Sequence, residues 1–158
     1  MKYIWMIVLG CALFSGSSAW GDDKLPPKPA AKDKCPVCGM FVAKYPDFLV
    51  AITYGDGSWV YFDGAKDMFK YYFDVSKYHS SRKQSQIQSV YVTDYYNLTY
   101  VDAYEALYVI GSDVYGPMGR ELIPFETETD AREFMQDHQG ESLVRFREVT
   151  PSLVKSLD

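Results

Sequence analysis

Cys35 and Cys38 stand in Cys35-Pro36-Val37-Cys38-Gly39-Met40, a spacing that lets both sulfurs meet on one ion or close a small disulfide. A bridge around so short a loop removes little chain entropy and would be a poor staple. Attachment of a c-type haem needs histidine after the second cysteine, and position 39 is glycine. A thioredoxin-like redox pair belongs at the head of a helix in a βαβ unit, whereas this motif leaves a proline-rich arm and runs into a β-rich stretch. A closed zinc site takes four Cys or His ligands, yet the histidines are only His79, in a polar loop, and His138, at a helix end. Cu(I) matches better, being soft and satisfied by two or three thiolate or thioether ligands, and Met40 adds a thioether two residues past Cys38.

Met118 is the second thioether candidate. In Tyr115-Gly116-Pro117-Met118-Gly119 the glycines and proline fix a turn where a methionine has little to pack against, while Met68 and Met135 fall at helical core spacing and read as gap-filling hydrophobes. Asp63 and Asp67 lie one helical turn apart, a pair that acid-base chemistry or a hard cation could use. Capping is the simpler account: Asp63 would accept from orphan amides and Asp67 would complement the helix dipole. Neither a Ser-His-Asp, a Cys-His nor a phosphate-cradling glycine pattern is present, so the sequence predicts a binding protein and not an enzyme. The opposing reading is a thiol-disulfide oxidoreductase.

The elements that must position these residues follow from patterning. Residues 48–54 and 58–62 are β-type runs joined by Gly55-Asp56-Gly57, as in a tight hairpin. Asp63 then offers an N-cap to a helix over 64–73, whose Ala65, Met68, Phe69 and Tyr72 share one face. Residues 76–86 read as a polar loop. The second half repeats the theme with strand-like runs at 90–93, 106–110 and 122–125 and a helix over 128–138, begun at Thr127 and ended at Gly140. The fold class predicted is α+β, a small single domain of two related ββαβ half-domains over 35–150, with 151–158 as a C-terminal tail.

Ahead of it, Lys2, an uncharged apolar run over 4–14 and the small residues 15–19 predict an export leader over 1–19, cleaved after Ser17-Ser18-Ala19. Eleven apolar residues fall short of the ~20 that span a bilayer. A second reading of the same segment is a lipoprotein signal, with Val8-Leu9-Gly10-Cys11 as lipobox and Cys11 as the lipid anchor. Either way the expected location is the periplasm. Residues 20–34, with Pro26, Pro27 and Pro29, have the composition of an extended linker. The formal net charge of −5, with no Lys/Arg-rich run, excludes nucleic acid as a partner.

Cys38-Gly39-Met40, Phe62-Asp63 with Lys66-Asp67-Met68-Phe69, Tyr91-Val92-Thr93-Asp94, Gly111-Ser112, Gly116-Pro117-Met118-Gly119 and Pro124-Phe125 together resemble the NosL family of copper-binding accessory proteins. The resemblance spans about residues 35–149. It implies an exported, often lipid-anchored Cu(I) chaperone serving nitrous oxide reductase assembly, hence denitrification, with two ββαβ halves resembling organomercury lyase. By position it puts forward Cys38 and Met118 as Cu(I) ligands with Cys35 and Met40 as neighbours, and a copper-receiving cuproprotein or its assembly or transport complex as partner. A histidine ligand is also suggested, but neither His79 nor His138 sits at a motif position. The opening hexapeptide also resembles YHS-like heavy-metal-binding domains, which carry further cysteines that this chain lacks.

Overall fold

The computed structural model describes residues 25–158. The expected leader and Cys11 lie outside the described residues. The first sheet is fully antiparallel, ordered β2-β1-β3-β4, from β1 (Val50–Tyr54), β2 (Trp59–Phe62), β3 (Ile87–Thr93) and β4 (Tyr100–Asp102). Between β2 and β3 run α1 (Ala65–Phe73) and the single turn α2 (Val75–Tyr78). The second sheet, also antiparallel, is ordered β6-β5-β7, from β5 (Leu107–Ile110), β6 (Ile123–Phe125) and β7 (Ser142–Arg145), with α3 (Glu128–Asp137) between β6 and β7.

The expected α+β architecture with two ββαβ halves is therefore present. In each half a hairpin leads into a helix that returns a third strand to the free edge of the hairpin's first strand. The 90–93 run, assigned to the second half from sequence, closes the first half instead, because its register pairs Val50 with Val92 and Ile52 with Val90. The strand that closes the second half, β7, has a mixed exposure pattern, with Leu143 and Val144 half-buried, and gives no clean alternation in the sequence.

Two apolar clusters result within the expected single domain. Leu107, Val109, Ile123, Phe125, Ala131 and Phe134 form the smaller cluster beneath α3. Tyr108 and Ile110, which alternate with Leu107 and Val109 along β5, face the larger cluster with Phe69, Phe62, Met68 and Phe146. A strand buried on both faces thus welds the halves.

Both flanks of the expected domain are structured. Pro26 and Pro29 are buried and Tyr61 Oη donates to Pro27 O at 2.8 Å, so residues 25–34 lie on the fold and are not a free spacer. Proline supplies rigid apolar surface with little conformational entropy to lose. The expected tail forms α4 (Pro151–Ser156), begun by Thr150, whose hydroxyl accepts from Leu153 N at 3.2 Å, with Pro151 in its first turn. Val154 and Leu157 bury themselves in the main core. Among the described residues no helix is long and apolar enough to cross a membrane.

Candidate metal centre

The cysteine loop is a closed tip. Lys34 and Phe41 pair as an antiparallel bridge at its neck, Cys35 N donates to Met40 O at 2.9 Å, and Gly39 N donates to Cys35 O at 2.9 Å. The turn needs a residue at φ +80°, and Gly39 supplies it. Its sulfurs face the start of α1. Cys35 Sγ donates to Asp67 Oδ2 at 3.4 Å, and Cys38 Sγ lies 3.2 and 3.3 Å from the two Asp63 oxygens. Ligand atoms of Cys35, Cys38, Asp63 and Asp67 all lie within 4.8 Å of one another. Cys35, Asp63 and Asp67 are each at most 2% exposed, whereas Cys38 is half-buried.

This corrects the capping account of Asp63, whereas Asp67 does lie in the first turn of α1, as expected. The N-cap of α1 is Gly64, and no side chain caps it from that position. The orphan amide of Lys66 is taken by Glu121, a carboxylate 55 residues away in sequence, which also accepts from Leu122 N at 2.9 Å. A Cβ on Gly64 would stand 2.2 Å from Glu121 Oε2, so glycine leaves room for that carboxylate where it now sits at the helix end. With Glu121 serving the helix, Asp63 is left for the thiols. Sequence spacing showed the two aspartates one turn apart, but nothing local signals Glu121.

Burial raises both thiols, with the flanking carboxylates adding to it: Cys38 is pushed up to about 12 and Cys35 further. The pair is thus protonated at neutral pH and bound to acceptors, the reverse of the low-pKa thiolate that drives disulfide exchange. Burial also pushes Glu121 up to about 8, Asp67 adding to the effect while Leu122 N, Lys66 N and the Lys66 charge oppose it. Because the folded state then holds that proton more tightly than the unfolded chain, this carboxyl's contribution to stability is lost as pH rises from 4.5 to about 8. Glu121→Gln keeps an acceptor for Lys66 N and is expected to remove this slope, checked by thermal midpoints across that window.

The two thioethers are placed differently from the thiols. Met40 is half-buried, with its carbonyl closing the cysteine loop. Met118 is 43% exposed, and its turn is fastened to α1 through its backbone: buried Lys66, between Asp63 and Asp67 in sequence, donates its Nζ to Met118 O at 2.8 Å and Leu157 O at 3.1 Å. The Gly116–Gly119 bridge holds the turn's shape. The histidines are engaged elsewhere, His79 with Ser81 at 3.2 Å and His138 with Asp113 at 3.0 Å, and neither belongs to the thiol cluster.

The NosL family model matches residues 26–154, taking in most of the proline-rich arm and the start of α4. Among solved structures, the copper chaperone NosL from Shewanella denitrificans aligns with a TM-score of 0.66 at 26% identity, covering 80% of this chain and 99% of that one. Apo-NosL from Achromobacter cycloclastes aligns with a TM-score of 0.46 at 22% identity, covering 66% of this chain and 87% of that one. No curated protein matches the sequence significantly.

Proposed function

Since the chain belongs to the NosL family, we propose that it is a copper chaperone holding one Cu(I) at Cys35 and Cys38. It passes that ion to a copper-receiving protein outside the cytoplasm. The observation that carries this reading is the dithiol packed against two carboxylates, all four ligand atoms within 4.8 Å, with Cys38 only half-buried. Two thiolates suit a soft monovalent ion, while carboxylate oxygens are poor ligands for it. Asp63 and Asp67 instead accept the thiol hydrogens before metal enters, and Lys70 Nζ, 3.7 Å from Asp67 Oδ1, offsets part of the negative charge.

Met118 stands on a turn tied through Lys66 to the start of α1, beside the two aspartates in sequence, and in this reading its thioether assists the ion as it arrives or leaves. Copper is cargo here, exchanged ligand for ligand down an affinity gradient. The raised thiols support this reading over an oxidoreductase. The likeness to a solved copper chaperone supports the metal, and the leader-like sequence over 1–19 supports a periplasmic site of action, the alternative lipoprotein reading of the same segment anchoring the chain there through Cys11. Nitrous oxide reductase or another periplasmic cuproprotein is the recipient the family suggests.

The test is competition for Cu(I) between the reduced protein and a chromophoric chelator such as bicinchoninate. Retention of one equivalent is expected, and Met118→Leu is expected to weaken it about tenfold, or about 1.4 kcal/mol. Failure to hold the ion would overturn the reading.

A further inference from the structure

The charge of the molecule is unevenly placed. Residues 25–48, which include the cysteine loop, carry Lys28, Lys32, Lys34 and Lys44 against Asp33 and Asp47, whereas residues 49–158 carry ten basic and seventeen acidic side chains. All four lysines are exposed. Two of them flank one ring: Lys34 Nζ lies 4.8 Å and Lys44 Nζ 5.6 Å from the centroid of Phe41, itself 39% exposed at the neck of the loop. An aromatic side chain partly open to water beside two cations, three residues from the half-buried Cys38, is amphipathic surface and not a core contact.

We propose that this face is the docking surface for the copper-receiving partner, and that the partner presents an acidic patch around its own soft ligands. The inference rests on the copper-transfer reading above. The rest of the described chain is net acidic, so an acidic partner is favoured on balance by the orientation that turns these lysines forward. The charge asymmetry therefore aims Cys38 at the acceptor as well as attracting it. Phe41 then supplies apolar contact once the surfaces meet, with the lysines as its polar rim.

The experiment measures Cu(I) transfer from the loaded protein to two peptides with the same Cys-x-x-Cys core, one flanked by four glutamates and one by four lysines. At low salt the acidic acceptor is expected to be served about tenfold faster. The difference should vanish at about 0.5 M salt, where charges are screened within a few ångströms. The double variant Lys34→Glu/Lys44→Glu changes only exposed side chains and is expected to abolish or reverse the preference while leaving Cu(I) affinity unchanged. Equal rates to both peptides, or a preference that survives charge reversal, would overturn the proposal. So would a dimer in sedimentation that the double variant dissolves, which gives the face to a second copy. Lysine-dependent binding to phosphatidylcholine/phosphatidylglycerol vesicles with no acceptor preference would give it to a membrane and overturn the proposal equally. Failure of the unaltered protein to bind Cu(I) would instead remove the reading beneath it, so the two failures are distinguishable.

Discussion

Cys38→Ser is expected to weaken Cu(I) binding by about a thousandfold or more, equivalent to about 4 kcal/mol. Serine keeps a donor for Asp63, whose oxygens lie 3.2 and 3.3 Å from Cys38 Sγ, so the loop has no reason to unfold. It offers the ion a neutral hard oxygen where a thiolate was available. Cys35→Ser is expected to cost as much affinity and some stability besides, because Cys35 is 1% exposed and packs in the main core, where a hydroxyl is harder to bury than a thiol. Comparing the two variants by chelator competition and by thermal midpoint separates ligation from packing. Unchanged affinity in Cys38→Ser would remove the dithiol from the site.

The same geometry sets a pH dependence. Both thiols are protonated at neutral pH, Cys38 with its proton held up to about 12, so a Cu(I) bound by two thiolates displaces two protons. Apparent affinity should then rise with pH by about tenfold per unit for each thiol displaced. A single serine variant that still binds should show half that slope. Proton release on copper addition, read with an indicator dye in weak buffer, counts the thiols directly.

What could be read from sequence divides along physical lines. The dithiol, the Met118 turn and the hairpin-helix pattern of each half depend on residue types a few positions apart, and the structure contains all three. The carboxylates of the centre were visible as residues but not as partners of the thiols. What frees Asp63 from capping is Glu121, and a contact spanning 55 residues leaves no local trace. The packed arm and α4 were missed for different reasons. The arm makes no helix or strand, only proline surface, a turn at Ala30–Asp33, the Lys34–Phe41 bridge and the tyrosine hydrogen bond to Pro27. Helix α4 did carry a signal, Thr150 before Pro151 with Leu153, Val154 and Leu157 following, but its six residues are too short for periodicity to stand out.

Phe69→Ala carries the second large expectation, a loss of about 3–5 kcal/mol of stability. Phe69 is fully buried on α1, and its ring meets Tyr108 of β5 edge-on at 5.4 Å, Phe146 beyond β7 at 4.8 Å and Phe73 one turn along the helix at 6.1 Å. Two of those partners belong to the second half of the fold, so the ring is a weld between halves as well as a filler of one core. Truncation leaves a void that Tyr108 cannot close, because its hydroxyl donates to Ala103 O at 2.7 Å and fixes the ring. The helix loosened by that void carries Asp67 in its first turn and Lys66, the tether of the Met118 turn, beside it. The variant is therefore expected to lose copper affinity along with stability, although Phe69 is not among the four residues of the centre. Phe69→Leu, which keeps most of the volume, should recover most of both. Denaturant unfolding and chelator competition on the same samples check this. Copper affinity unchanged across a drop of that size would mean that the cysteine loop and α1 hold the site without the second half.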